Sequence, residues 1–176
     1  RVILQISSFL HQPVELGVAS SHHPPQLMPD HTQWSIRFAT NEIVIAFSDK
    51  SKYAGEINSG NWMDLLLRED AVYGRSDPDN DPCGYRTVMT LMLAEKHYGI
   101  PGLAERFISK NKDYIRPKEV DLVALMETNA IDYMFQYKSV AIQHRLNYID
   151  LPDEINLGDP KLNRNYNTVY VDVNGR

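Results

Sequence analysis

The sequence predicts an α/β domain in which helices cover both faces of a parallel or mixed sheet. Strand-like and helix-like segments alternate along most of the chain, which is the order expected for such a sheet. The continuous apolar run from Ile43 to Phe47 has no polar face, as expected of a strand that is buried on both sides. With 176 residues, of which 43% are hydrophobic and 23% charged, the chain can bury one ordinary core.

The first predicted elements lie in the N-terminal part of the chain. It starts with a short apolar run, becomes loop-like from Ser20 to Pro25, and predicts two strands in WSIRFATNEIVIAFS with a polar break near Thr40 and Asn41. NWMDLLLRED has helical spacing with Asn61 as its N-cap. The apolar residues of this helix share one face: Trp62, Leu65 and Leu66.

The remaining elements follow in strand and helix order. AVYGRS predicts a strand, and GYRTVMTLMLAEKHYG predicts a long helix that ends at Gly99 and Pro101. Spacing places four residues on the apolar face of this helix: Tyr85, Val88, Met89 and Met92. LAERFIS and KEVDLVALMETN predict two further helices, and IDYMFQYKSVAI and TVYVDV predict strands. Ligands of such sheets bind beyond the carboxyl ends of the strands, so the search for a site starts at helix N-termini.

Composition excludes several classes of function. The net charge of -5 argues against a nucleic-acid-binding protein, because 18 basic residues are scattered among 23 acidic ones. No stretch approaches the ~20 consecutive apolar residues of a membrane span. No signal segment is evident, and a start at Arg1 without Met is expected of a processed or truncated chain. The single cysteine, Cys83, excludes an internal disulfide framework.

The most informative segment is GRSDPDNDPCGYR, residues 74–86, which joins a predicted strand to the long helix. Asp81 is a good N-cap and Pro82 suits the first helical position. This start predicts that the backbone N–H groups of Cys83 and Gly84 point out of the helix end, where the helix dipole also favours an anion. Gly84 would in addition let a ligand approach the backbone closely.

Other interpretations of this loop remain open. Asp81 can simply cap its helix. The spacing of Asp77, Asp79 and Asp81 is similar to that of a calcium loop, but the sixth and twelfth positions are Pro82 and Val88 where Gly and Glu are expected.

An enzyme could use the thiol of Cys83 as a nucleophile, since a helix N-terminus can lower its pKa, but no His lies nearby in sequence to act as a base.

A second helix start carries a carboxylate. In RPKEVDLVALMETN, Pro117 precedes the helix and Glu119 lies in its first turn, where it can either bind a ligand or only complement the helix dipole. In the following strand, alternation places Tyr133, Phe135 and Tyr137 on one face, so that the hydroxyl of Tyr137 can reach a ligand at the strand end or line the core.

The six histidines predict no metal site, because no pair has ligand spacing on a helix together with a carboxylate. They are His11, His22, His23, His31, His97 and His144.

Several strings occur together in an order that resembles a known family. PQLMPDHTQW, FATNEIVIAFSDKSKYAGEIN, GRSDPDNDPCGYRTVMTLMLAEKHYG, RPKEVDLVALME and IDYMFQYKSVAIQH resemble the tungstate/molybdate-binding proteins of ABC importers, from about Pro25 to about Asn174. The resemblance implies a two-lobed binding protein of the periplasmic-binding-protein type II fold, with a mixed sheet, an oxyanion held between the lobes and no catalysis.

The resemblance also implies site residues. Asp81 and Glu119 match the two carboxylates that complete a six-coordinate centre around the tungsten or molybdenum of the oxyanion. The backbone amide of Cys83 and the hydroxyl of Tyr137 match positions that hold ligand oxygens. Mo(VI) and W(VI) can add oxygen ligands beyond four, whereas sulfate and phosphate do not do so comparably. A sulfate- or phosphate-type site is the alternative.

The sequence departs from the family at several points. The serine motifs of the first lobe are not found, because Ser7, Ser8, Ser20 and Ser21 do not match them, and Gln136 stands where an acidic residue is common. The chain is shorter than the family's full length. We therefore expect a fragment centred on the second lobe, which holds half of the ligand site.

The expected organisation has four parts. Residues 1–24 form an N-terminal segment outside the resemblance, 25–40 the hinge region, 41–165 the second lobe, and 166–176 a strand that returns toward the first lobe. The resemblance predicts a monomeric periplasmic or extracytoplasmic protein that delivers its ligand to a membrane permease. A lipid or membrane anchor would belong to a missing N-terminus. A sensory domain of the same fold would need a signalling or DNA-binding segment, and none is visible.

Overall fold

A computed structural model describes residues 40–175 of the chain as one mixed α/β unit. Its five strands are β1 Ile43–Phe47, β2 Tyr73–Ser76, β3 Ile115–Arg116, β4 Tyr133–Tyr137 and β5 Asn147–Asp150. Its helices are α1 Trp62–Leu66, α2 Pro82–Tyr98, α3 Leu103–Ser109, α4 Glu119–Glu127, α5 Lys138–Gln143, α6 Asp153–Asn156 and α7 Asn163–Tyr166, with 3-10 turns at Lys112–Tyr114 and Pro160–Leu162.

The strands form one sheet in the order β3-β2-β4-β1-β5. Strand β2 runs parallel to β3 and β4, whereas β1 runs antiparallel to both β4 and β5. The start of β1 therefore lies beside the end of β4, where Ile43 pairs with Tyr137. The carboxyl ends of β2 and β4 share this edge of the sheet.

Strand β1 is covered on both faces, which confirms the prediction from its apolar run. Its five residues are all buried and alternate between two core clusters. Ile43, Ile45 and Phe47 belong to the cluster that includes α2 and α3, while Val44 and Ala46 pack with residues of α4 and α5. Burial of each large apolar side chain stabilises the fold by roughly 1.5–3 kcal/mol, so this strand anchors the core.

Helix α2 confirms its predicted bounds and part of its predicted apolar face. Asp81 is the N-cap, and Gly99 ends the helix in the left-handed conformation. Of the predicted face, Val88 is buried and Met89 and Met92 are partly buried against the core. The most buried side is shifted toward Thr87 and Leu91, because it includes threonines that hydropathy counts as polar. The Thr87 hydroxyl donates to the Cys83 carbonyl at 2.8 Å, which satisfies this group inside the protein.

Two other sequence predictions need correction, and one strand was missed. The strand predicted beyond Tyr137 ends there, because α5 begins at Lys138. Residues 168–173 form turns and irregular structure in place of the expected returning strand, with Tyr170 81% exposed. Strand β5 was not predicted, since it is an edge strand with mostly polar or half-exposed residues.

Asn61 is the N-cap residue of α1, as predicted. Its side chain does not cap the helix and instead accepts a hydrogen bond from the Asn58 N–H group.

Some predictions fall outside the described residues. These are the elements and domain boundaries before Thr40, the four histidines up to His31 and the N-terminal serines. Among residues 40–175, no helix combines the length and apolar character that crossing a bilayer requires.

Candidate functional site

The candidate site lies at the edge of the sheet where β2 and β4 end. Strand β2 ends at Ser76, and the loop that follows is held by several hydrogen bonds before α2 starts. The Asp77 carboxylate accepts from the N–H of Asp79 at 2.9 Å and from the side-chain amide of Asn80 at 2.7 Å. The Asp77 N–H in turn donates to the carbonyl of Arg116 at the end of β3. The loop thus reaches Asp81 in a defined conformation.

Asp81 is buried, with 6% of its surface exposed, and its carboxylate joins two helix starts. One oxygen, Oδ1, accepts from the Cys83 N–H at 2.6 Å and from the Ser76 hydroxyl at 3.3 Å. The other oxygen, Oδ2, accepts from the N–H of Glu119 at 3.1 Å. Lys118, the N-cap of α4, provides no side-chain cap of its own. A single carboxylate therefore caps both α2 and α4, and the positive ends of two helix dipoles meet at it.

The side chain of Glu119 reaches the same place. Its carboxyl group hydrogen-bonds to that of Asp81, and this contact is the largest cause of a pKa that is raised to about 7, followed by burial and by the negative charge of Asp81. Two carboxyl groups in contact do not both ionise readily, so the pair retains a proton close to neutral pH. The structure thus brings together two acidic residues that lie 38 positions apart in sequence.

Tyr137 ends β4 at this edge and packs partly against the core. Burial raises the pKa of its hydroxyl above the ordinary value, so the hydroxyl stays protonated and can donate a hydrogen bond. The guanidinium of Arg86 lies 5.7 Å from the centre of its ring. The ring contacts the core, as the core-lining interpretation predicts, while a hydroxyl that reaches a ligand at the strand end stays a prediction.

The expected free amides of α2 are not free. The Cys83 N–H donates to Asp81 Oδ1, and the Gly84 N–H donates to the Asp81 carbonyl at 3.0 Å. The expected role of Gly84 also changes, because a Cβ atom there would lie 2.5 Å from the carbonyl carbon and oxygen of Asp77. Glycine is therefore required for the close packing of its own loop, not for the approach of a ligand.

The thiol of Cys83 lies in the interior. The residue is 0% exposed, and burial is the main cause that raises the pKa of the thiol, followed by the negative charges of Asp81 and Glu119. A nucleophilic cysteine requires the opposite, an exposed thiolate of lowered pKa. The geometry argues against the enzyme interpretation.

The calcium interpretation also finds no support in the geometry. Asp77 holds its own loop, and the Asp79 carboxylate accepts from the N–H of Asn174 at 2.8 Å, while Asp81 caps two helices. Within residues 40–175, no three His, Cys, Asp or Glu side chains are grouped as metal ligands.

Gln136 is a site residue whose role the sequence did not indicate. It is 0% exposed, and its side-chain amide bonds to residues at the starts of α2, α4 and α5. The sequence analysis noted Gln136 only as standing where the family commonly has an acidic residue, and it did not single out Ser76, which donates to Asp81. A glutamine beside Tyr137 in an otherwise apolar strand was the available signal.

A surface groove of about 290 Å³ opens next to this edge. It is lined by Thr40, Asn41, Glu42, Lys138, Ser139, Ile142 and Gly158. The ammonium group of Lys138 lies 2.7 Å from a carboxylate oxygen of Glu42 and 2.9 Å from one of Asp150. Because both carboxylates already neutralise it, Lys138 is not the cation of an anion site.

Comparisons with known proteins agree with the resemblance seen in the sequence. The family model described as bacterial extracellular solute-binding protein matches residues 11–168. The molybdate/tungstate-binding protein WtpA of Pyrococcus abyssi is 48% identical over 159 residues, which cover 77% of this chain and 46% of that protein. WtpA of Thermococcus kodakarensis is 43% identical over 175 residues, with 85% and 49% covered.

An uncharacterized solute-binding protein of Petrotoga mobilis is 47% identical over 154 residues, which cover 85% of this chain and 47% of that protein. The chain thus spans about half the length of the curated relatives it matches. The family match covers most of the chain, and the observed mixed α/β architecture is the fold class expected from the resemblance. The chain belongs to the bacterial extracellular solute-binding protein family.

Proposed function

We propose that this chain is the oxyanion-binding part of a solute-binding protein that captures molybdate or tungstate for an ABC importer. The observation that carries the proposal is that the Asp81 carboxylate joins two helix N-termini, where it accepts from the N–H groups of Cys83 and of Glu119. Two relatives named molybdate/tungstate-binding proteins, at 48% and 43% identity, support the choice of ligand.

The paired carboxyl groups favour molybdate and tungstate, which have a high-valent metal centre, over other tetrahedral anions. Mo(VI) and W(VI) are large, hard centres that can add two carboxylate oxygens to the four oxygens of the oxyanion. Sulfate and phosphate do not add ligands comparably, so the same carboxylates would face them as unpaired like charges. Coordination number then supplies the selectivity.

The remaining proposed ligands are donors to the outer oxygens of the anion. These are the backbone N–H group of Cys83 and the hydroxyl of Tyr137. The Gly84 N–H is held by the Asp81 carbonyl and is not one of them. Because Asp81 accepts from the Cys83 N–H in the structure, binding on this scheme includes a turn of the Asp81 carboxylate toward the metal centre, which releases that amide. The positive ends of the two helix dipoles offset part of the charge of the incoming dianion.

Membership of the family supports the biological role that we propose. The protein acts outside the cytoplasm, closes around the oxyanion with a second lobe that supplies the other half of the site, and presents the closed form to a membrane permease. It functions as a monomer and performs no catalysis.

Equilibrium dialysis of the chain against tungstate, molybdate, sulfate and phosphate, with elemental quantification of each anion, tests the proposal. We expect retention of tungstate and molybdate at concentrations that give no retention of sulfate or phosphate. Asp81→Asn and Glu119→Gln should each weaken tungstate binding at least about tenfold. Glu105→Gln removes the same charge from an exposed position on α3 and should bind as the wild type.

Sulfate or phosphate binding as tight as tungstate binding would refute the coordination argument and favour the alternative oxyanion site. Tungstate binding that is unchanged in both site variants would remove Asp81 and Glu119 from the site.

A further inference from the structure

We infer that Gln136 is a positioning residue that holds the starts of α2 and α4 and the end of β4 in the arrangement the oxyanion site needs. This inference rests on the proposed function, since it concerns the same site. It assigns Gln136 no contact with the ligand.

The side-chain amide of Gln136 bonds to all three elements. Its Nε2 donates to the carbonyl of Glu119 at 3.1 Å, and its Oε1 accepts from the N–H of Tyr137 at 2.8 Å. The same oxygen lies 3.6 Å from Sγ of Cys83, whose thiol donates to it. The residue is 0% exposed, so water does not replace these partners when the amide is removed.

The amide of Gln136 matches both of its backbone partners. One partner is a carbonyl, which needs a donor, and the other is an N–H group, which needs an acceptor. A smaller apolar side chain would leave both backbone groups unpaired in the interior.

The three contacts explain how β4 controls the geometry of the pair. Glu119 N–H is held by Asp81 on α2, and Glu119 carbonyl is held by Gln136 on β4. The first residue of α4 is therefore fixed at both of its backbone polar groups. A loss of the second bond leaves the start of α4 attached to the site only through the carboxylate that must also bind the ligand.

Two variants and one matched control test this role. Gln136→Ala removes the amide, and Gln136→Met keeps nearly the same volume but loses both the donor and the acceptor. Asn156→Ala is the control, because Asn156 is also a buried amide, 2% exposed, whose side chain makes four hydrogen bonds away from the site. Each protein is measured for its tungstate dissociation constant, for its urea unfolding midpoint and for the rate at which a disulfide reagent modifies Cys83.

Cys83 reports on the junction directly, because it is the only cysteine of the chain and its thiol contacts Gln136. We expect both Gln136 variants to raise the tungstate dissociation constant and the thiol modification rate by at least about tenfold each. Asn156→Ala should lower the unfolding midpoint without changing the dissociation constant. If Gln136→Ala does not fold, Gln136→Met supplies the same readouts.

A wild-type dissociation constant in a folded Gln136 variant overturns the inference. So does an equal weakening of binding by Asn156→Ala, since the effect would then be general destabilisation. If the wild-type chain itself does not bind tungstate, the proposed function fails, and the inference on Gln136 is decided by the rate of Cys83 modification alone. Faster modification in the Gln136 variants than in wild type supports the role of Gln136 at the junction. An unchanged rate overturns it.

Discussion

Replacing Asp81 with alanine should destabilise the protein more than the loss of an ordinary helix cap. The cap on α2 contributes about 1 kcal/mol. The bond from the Glu119 N–H to the second carboxylate oxygen adds roughly 1.5–3 kcal/mol, because the acceptor is charged and buried. Removing the Asp81 carboxyl group also removes its unfavourable interaction with the charge of Glu119, which offsets part of this loss. We expect a net decrease of about 2–3 kcal/mol in the free energy of unfolding.

Urea unfolding followed by circular dichroism measures this quantity, with the midpoint compared at constant slope. The thermal midpoint should fall by about 2–4 °C for each kcal/mol. The free energy of unfolding of Asp81→Asn should lie between those of wild type and Asp81→Ala. Its single carbonyl oxygen can accept from one helix start, while its NH₂ group faces the N–H donor of the other. Asp159→Ala is the matched control, since Asp159 caps only the 3-10 turn at Lys161, and should cost about 0.5–1 kcal/mol.

Equal losses in Asp81→Ala and Asp159→Ala would refute the claim that one carboxylate holds two helix starts. A loss below about 1 kcal/mol in Asp81→Ala would do so as well.

Three further variants probe the surrounding contacts. Gly84→Ala forces a Cβ atom against the Asp77 backbone and should cost at least about 1–3 kcal/mol in urea unfolding; a cost below about 0.5 kcal/mol would show that the loop yields easily. The pKa of Glu119 is raised from 4.5 to about 7 in the folded protein, so this group's contribution to stability is full below pH 4.5 and is lost as the pH rises through 7. Unfolding midpoints measured between pH 4.5 and 8 should show this decline in wild type and in Glu105→Gln, and a decline that is equally steep in Glu119→Gln would contradict the assignment. Lys110→Met removes an ammonium that donates to three carbonyls between α1 and β2, and should cost about 1–3 kcal/mol; an unchanged thermal midpoint would show that water replaces these bonds.

Local sequence signals predicted the parts of the structure that depend on neighbouring residues. The apolar run of β1 indicated a strand buried on both faces, and Asp81, Pro82 and Gly99 marked the two ends of α2. Such signals are reliable because caps and strand burial depend on residues within a few positions of one another. The same reasoning placed Asp81 and Glu119 each at a helix start, and the family resemblance assigned them to one ligand.

Only the tertiary structure decided which polar groups meet. The bond that joins Asp81 to Glu119 spans 38 positions, and the contact between Cys83 and Gln136 spans 53. By contrast, the amides expected to be free are occupied by the cap residue Asp81, and Gly84 packs against its own loop, so these two corrections come from local conformation. Hydrogen-bond partners of buried groups are set by the three-dimensional arrangement of strands and helices, and a pattern read along one segment does not contain that arrangement.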